Sequence, residues 1–293
     1  MDITLKNGNM TAVVTTHGAE LIELKDERGI SYIWNGNPEY WPGRNPILFP
    51  IVGNLKNGQI QMDGQTYLMN RHGFARDCEF EVADQGEDYV VFELKSNEET
   101  RKLYPRDFVF QVKHFIEDNG FTTAFYVKNT DSKMMPFCVG AHTAFNCPIG
   151  GEGSLEDYEI RFDEEETAYN ILLNAQGCIA GPADTFMLDH TKHMPLHYDV
   201  FAELDTIIFK DLNSKGVSLC HRESNHGIYM DFKGFPMMAF WTKGKERAPY
   251  VCIEPWHGCA ALENESGKFE DKEACIHLES GKSIELSYKV TLF

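Results

Sequence analysis

Apolar and polar residues alternate with period two, or run apolar over short stretches, along most of the chain: Thr11–Thr15, Leu21–Lys25, Gln65–Met69, Tyr89–Leu94, Phe108–Phe115, Phe121–Val127, Ile207–Lys210, Val217–Cys220, Ile228–Phe232, Met237–Trp241 and Ile284–Leu292. Such runs predict β-strands. The dipeptides Asp63-Gly64 and Asn119-Gly120 lie between neighbouring runs, and their tolerance of positive φ predicts two-residue hairpins, hence antiparallel pairing. The one clear helical signal is Asn97 as N-cap, Glu98 and Glu99 in the first turn, and Arg101-Lys102-Leu103 stopped before Pro105. No strand–helix alternation supports a parallel sheet. The expected class is all-β, a sandwich or barrel with few short helices. No repeat or low-complexity linker interrupts residues 1–293, which predicts a single domain. The acidic run Asp163-Glu164-Glu165-Glu166 reads as a solvated loop or strand end.

Composition narrows the function classes. The 293 residues carry 27 Lys plus Arg against 45 Asp plus Glu, a net charge of −18. That field repels nucleic acid and anionic membranes, so neither is an expected partner, and a phosphorylated ligand needs a local arginine cluster. No apolar run is long enough to span a bilayer, and the N-terminus lacks the basic and apolar regions of a secretory signal. The eight cysteines form no C-x-x-C pair. This pattern suits reduced thiols in a cytoplasmic protein better than disulfides or zinc.

Three segments concentrate the chemistry. In Val251-Cys252-Ile253-Glu254-Pro255-Trp256-His257-Gly258 an apolar run delivers a carboxylate to a proline-marked bend. Glu254 there is a candidate general base, or a surface glutamate at a strand end; Trp256 offers an indole platform for a sugar ring, or a core residue. His142 sits among small residues in Gly140-Ala141-His142, a candidate general acid or a hydrogen-bonded core histidine. His72 and Arg76 share the segment His72-Gly73-Phe74-Ala75-Arg76, a candidate binding turn or a structural one. Arg44, in the loop Trp41-Pro42-Gly43-Arg44-Asn45-Pro46, is a candidate clamp for an anionic or hydroxyl-rich ligand.

Eleven histidines raise the question of a metal, and His190, His193 and His197 crowd one stretch. The stretch lacks H-E-x-x-H, and Pro195 breaks any helix that would align it, so no metal site is expected. No G-x-S-x-G elbow or Walker loop is present either.

Taken in order, Phe49-Pro50-Ile51-Val52-Gly53 followed by Asn57-Gly58, His72-Gly73-Phe74-Ala75-Arg76, Gly140-Ala141-His142 with Phe145-Asn146, Asp205 before Ile207-Ile208-Phe209, and Glu254-Pro255-Trp256-His257-Gly258 resemble the aldose 1-epimerase, or galactose mutarotase-like, family over nearly the whole chain. The resemblance implies a large antiparallel β-sandwich with an open sugar cleft and no cofactor. It implies that His142 protonates the pyranose ring oxygen while Glu254 takes the C1 hydroxyl proton, the ring opening and reclosing as the other anomer. His72, Arg76 and Asp205 then bind sugar hydroxyls. Glu254 is expected ionised and His142 protonated or sharing a proton, favoured by an acidic cleft. One departure is Thr143, where relatives in the nearest branch carry proline, a change expected to alter rigidity more than chemistry.

Alternatives remain. Hexose 6-phosphate mutarotases of this superfamily also carry paired arginines, for which Arg44 and Arg76 are the counterparts. A carbohydrate-binding protein without turnover needs no matched acid and base. A glycosidase needs a second carboxylate, Asp205, at about 5–9.5 Å from Glu254. An open sandwich edge offers a route to a homodimer.

Overall fold

A computed structural model describes all residues except Asn9 and Glu152. Among the described residues two antiparallel sheets dominate, one of nine strands and one of six. The larger runs from the hairpin Tyr158–Leu173 and Ile179–Pro195, through Gly216–His221, Gly227–Asp231 and Ser283–Leu292, to Gly120–Asn129, Phe108–Glu117, Tyr89–Lys95 and Glu81–Gln85. The smaller is centred on Tyr250–His257, flanked by Met237–Trp241 on one side and by Val139–Ala141 and Thr143–Asn146 on the other.

The sheets face each other across aromatic residues. Phe49, beside the short strand Ile47–Leu48 of the smaller sheet, stacks on Phe110 of the larger at a ring separation of 4.4 Å. Phe162 of the larger sheet meets Phe209 and Phe240 of the smaller edge-on. Face-to-face packing of inward-pointing alternate residues is the β-sandwich arrangement, so the all-β reading is met.

Local signals act where they were read, with one shift. Asp63 and Gly64, at φ 50° and 76°, turn the hairpin Gln59–Met62 to Gln65–Leu68. The second hairpin closes one residue earlier than expected, because Gly120 already pairs with Glu117 and leaves Asp118-Asn119 as the loop. The helix Glu98–Leu103 has Asn97 accepting from the Glu99 and Thr100 amides, while Thr100 Oγ1 accepts from the Asn97 amide.

The acidic run is exposed at Asp163, Glu164 and Glu165, as expected, and departs from expectation at Glu166. It lies within the strand Tyr158–Leu173, where the register slips between Arg161 and Glu166. Glu166 is buried and accepts the Asn213 and Ser214 amides at 3.1 and 2.7 Å, so backbone donors replace the water it was expected to face. His190 and His193 sit on the partner strand, at 3.2 and 3.1 Å from Glu165 and Glu159, instead of aligning on a helix. No described helix is long and apolar enough to cross a membrane.

Candidate active site

In the central strand Tyr250–His257, Ile253 joins the core between the sheets, opposite Phe240 and Thr143. Side chains alternate along a strand, so Glu254 points to the opposite, outer face. His142 occupies the break between two short strands that both pair with this one, Gly140 facing Trp256 and Thr143 facing Ile253. The register continued across that break sets His142 directly opposite Glu254. Pro255, which has no N–H for a ladder, lies at the gap. Across the other edge Glu254 faces Ala239, whose small side chain leaves the carboxylate room. His142 Nε2 lies 3.3 Å from Glu254 Oε1, with the two side chains 8% and 1% exposed.

Burial sets the proton inventory of this pair. It raises the Glu254 pKa well above the carboxylate range, against the Arg71 guanidinium, while Asp205 adds to the rise. The Trp256 indole N–H also lowers it, from a position short of hydrogen-bond geometry. Burial, reinforced by Arg71 and Arg76, lowers His142 to about 3. The resting pair therefore holds one proton, on the carboxyl, with the imidazole neutral. Of the expected resting forms, an ionised Glu254 beside a protonated His142 is corrected here, because removal from water opposes both charges, while a proton shared within the pair is not contradicted. Two atoms of the pair, His142 Nδ1 and Glu254 Oε2, are buried without a hydrogen-bond partner.

His72 stands edge-on to His142 with ring centres 5.7 Å apart. Its backbone is left-handed (φ 69°) and is followed by Gly73 (φ 78°), a turn that brings the segment against Phe49. Donors approach both ring nitrogens: the Gly53 amide at Nδ1, 3.1 Å, and Arg71 Nε at Nε2, 3.0 Å. Burial and the nearby cations keep this imidazole neutral. A neutral ring accepts at only one nitrogen, so one donor is left over for an incoming oxygen.

Asp205 follows the helix Tyr198–Leu204 at φ 62°, ψ −66°, the sparsely populated γ-turn region. Such strain costs about 1–3 kcal/mol and collects at functional sites. Its carboxylate accepts the Trp241 indole N–H at 3.4 Å and the Thr206 hydroxyl at 3.1 Å. Trp41 and Trp241, both half-buried, flank His142 at 5.0 and 5.5 Å. Trp256 is only 5% exposed and offers little ring face for stacking.

Arg44 does not join this cluster. Its guanidinium is held by the Asn35 and Ile22 carbonyls at 3.0 and 3.5 Å, which makes it a brace of the loop. Arg76 lies close enough to lower both histidines and is 3.9 Å from Asp77. Thr143 ties its hydroxyl to Asn45 Oδ1 at 2.7 Å.

Arg71 is the residue that sequence reasoning passed over in favour of Arg76. The only signal in the segment was Gly73; the left-handed backbone of His72 before it, φ 69°, is visible only in the structure. Arg71, His72, Asp205 and Trp256 line a cavity of about 60 Å³, closed on one side by Leu173 and Gly177 at the end of the long hairpin. Arg71 and Asn54 also border a groove of about 830 Å³.

Comparison with known proteins gives the family and the fold. A family model described as aldose 1-epimerase matches residues 1–291. The chain is 34% identical to the chromosomal LacX protein of Lactococcus lactis subsp. lactis, covering all of this chain and 99% of that one. Among solved structures, a galactose mutarotase related enzyme from Lactobacillus acidophilus superposes with a TM-score of 0.92 at 32% identity, over 100% of this chain and 97% of the other. A galactose mutarotase-like protein from Lactobacillus casei superposes with a TM-score of 0.93 at 28% identity, over the full length of both.

Proposed function

The chain belongs to the aldose 1-epimerase family, and from that premise we propose that it interconverts the α and β anomers of a free aldohexose by acid/base ring opening at His142 and Glu254. The observation that carries the reading is the 3.3 Å contact between a buried imidazole and a buried carboxyl facing each other across adjacent strands. Ring opening needs one proton delivered to the ring oxygen and one removed from the C1 hydroxyl, and a pair that holds one proton in total can do both. The ionised carboxylate takes the hydroxyl proton, the imidazolium gives its proton to the ring oxygen, and the C1–O5 bond breaks to leave the aldehyde. Rotation about C1–C2 and reclosure, with the transfers reversed, yields the other anomer. Each positioned group typically contributes ~10²–10⁴-fold.

Before the first transfer the shared proton must move from Glu254 to His142. Arg71 favours that step, since its charge lowers the carboxyl pKa. His72, Arg71 and Asp205 offer donors and acceptors to the sugar hydroxyls, with Arg76 supporting from behind and Trp41 and Trp241 facing the ring.

Free aldoses are preferred over sugar phosphates because the net charge of −18 opposes a phosphate, and Arg44 of the expected Arg44–Arg76 pair is committed to backbone carbonyls. A sugar-binding role without turnover leaves the matched acid and base unexplained. Polarimetry on freshly dissolved α-glucose, α-galactose and glucose 6-phosphate tests the proposal. Faster decay of rotation for a free aldose, with no reducing sugar released from a glycoside, supports it. No acceleration for any of them refutes it.

A further inference from the structure

Cys252 has no part in the ring-opening scheme, yet it sits beside the acid/base pair. It precedes Glu254 by two residues on the same strand, so both side chains leave the same face. His142, Cys252 and Glu254 each bring one ligand-type atom to a common point, all within 4.8 Å of one another. We infer that these three side chains form a site for a zinc-type divalent ion, and that filling it blocks the acid/base pair.

Four observations carry this. A tetrahedral ion with bonds of about 2.0–2.1 Å to nitrogen and oxygen separates those ligands by about 3.3–3.4 Å, and the Nε2–Oε1 distance is 3.3 Å. The donor set, one thiolate, one imidazole and one carboxylate, suits zinc, cobalt(II) or copper(II) over magnesium or calcium. Charge balances: thiolate and carboxylate together neutralise a divalent ion, as a site with all three ligands buried requires. Glu254 Oε2 is also a buried oxygen without a hydrogen-bond partner, so no competing donor holds the carboxylate against turning toward the ion.

Loading the ion onto the resting site releases two protons, one from the Cys252 thiol and one from the Glu254 carboxyl, with no change of oxidation state. Small neighbours flank each ligand on one edge, Ala144 opposite Cys252 and Ala239 opposite Glu254, while Trp241 closes the other edge of Cys252. Three protein ligands leave a fourth position for water or a sugar hydroxyl. The ion occupies the imidazole lone pair and the carboxylate that proton transfer requires, so bound metal and turnover exclude each other. The blocking half of this inference rests on the proposed function; the binding half does not.

The test is a titration of chelator-treated protein with cobalt(II), followed by its absorption spectrum, in wild type, Cys252→Ser and Cys252→Ala. The expected result is a thiolate-to-cobalt charge-transfer band with intense tetrahedral visible bands in wild type, displaced by zinc and absent from both variants. In parallel, zinc should inhibit wild-type mutarotation, while both variants keep basal activity and need about 10–100-fold more zinc, the loss that follows removal of a metal-supporting group. No band at excess cobalt, or a band that persists in the variants, overturns the site. Equal zinc sensitivity in all three proteins overturns the blocking role. A band in protein that does not accelerate mutarotation leaves the metal site standing and removes the proposed function; mutarotation without a band does the reverse.

Discussion

Gly73→Ala should destabilise the protein by about 3–5 kcal/mol and abolish activity with it. Gly73 has φ 78°, and a Cβ built there falls 2.1 Å from the Phe49 carbonyl oxygen and 2.5 Å from its carbon. Both atoms are backbone, so no rotamer change relieves the overlap. The left-handed conformation alone costs an alanine about 1–2 kcal/mol, offset in part by the lower chain entropy of unfolded alanine. Gly64→Ala isolates that term, because Gly64 has φ 76° with nothing within 4 Å of its Cβ position; it should cost about 1 kcal/mol. The remainder at Gly73 comes from moving the Phe49 carbonyl, which accepts the Phe74 and Ala75 amides at 3.0 and 3.2 Å. Each such bond is worth about 0.5–1.5 kcal/mol net, and Phe49 itself is fully buried against Phe110. His72 moves with its neighbour and loses the Gly53 amide. Urea unfolding followed by tryptophan fluorescence gives the stabilities, and polarimetry gives the activity of the folded fraction. A Gly73→Ala cost within about 0.5 kcal/mol of Gly64→Ala would refute the reasoning, since that is the spread of an unremarkable surface change.

Two further outcomes follow from the site. Arg71→Met removes the cation that opposes protonation of Glu254 and should lower kcat/KM by about 10–100-fold, in line with ~1.5–3 kcal/mol for a charged hydrogen-bonding group; Arg44→Met, which removes a guanidinium held by the Asn35 and Ile22 carbonyls, should stay within about threefold, and steady-state mutarotation kinetics on both variants decide it. The pH profile has a defined sign: His142 gains a second proton only as pH falls through about 3, so kcat/KM should stay flat through the usual histidine range near 6.5. Loss on the alkaline side should come where Glu254 gives up its proton, well above the usual carboxylate range; an acid limb centred near 6.5 contradicts this assignment.

The strands that bury one face were legible because burial writes a period of two into the sequence: the runs Tyr89–Leu94 and Phe108–Phe115 fall within the alternating strands Tyr89–Lys95 and Phe108–Glu117. The long hairpin Tyr158–Leu173 and Ile179–Pro195 was not, because much of it faces water on both sides and its buried Glu166 is satisfied by distant backbone amides. At the site, His142 and Glu254 were found as residues, but their register partnership depends on a break between two short strands that no local pattern announces. Cys252 and Trp41 were visible only as letters near other candidates. Their proximity to His142 is a product of tertiary packing, as is the commitment of Arg44 to carbonyls 9 and 22 residues away in sequence.

The most direct test of the central claim is exchange NMR between the equilibrated anomers of glucose and galactose, comparing wild type with Glu254→Gln and His142→Asn. The account predicts α/β exchange above the buffer rate in wild type and its loss, by at least about 10²-fold, in each variant while the fold is retained. Exchange that persists in either folded variant, or that wild type does not accelerate for any aldose, would contradict it.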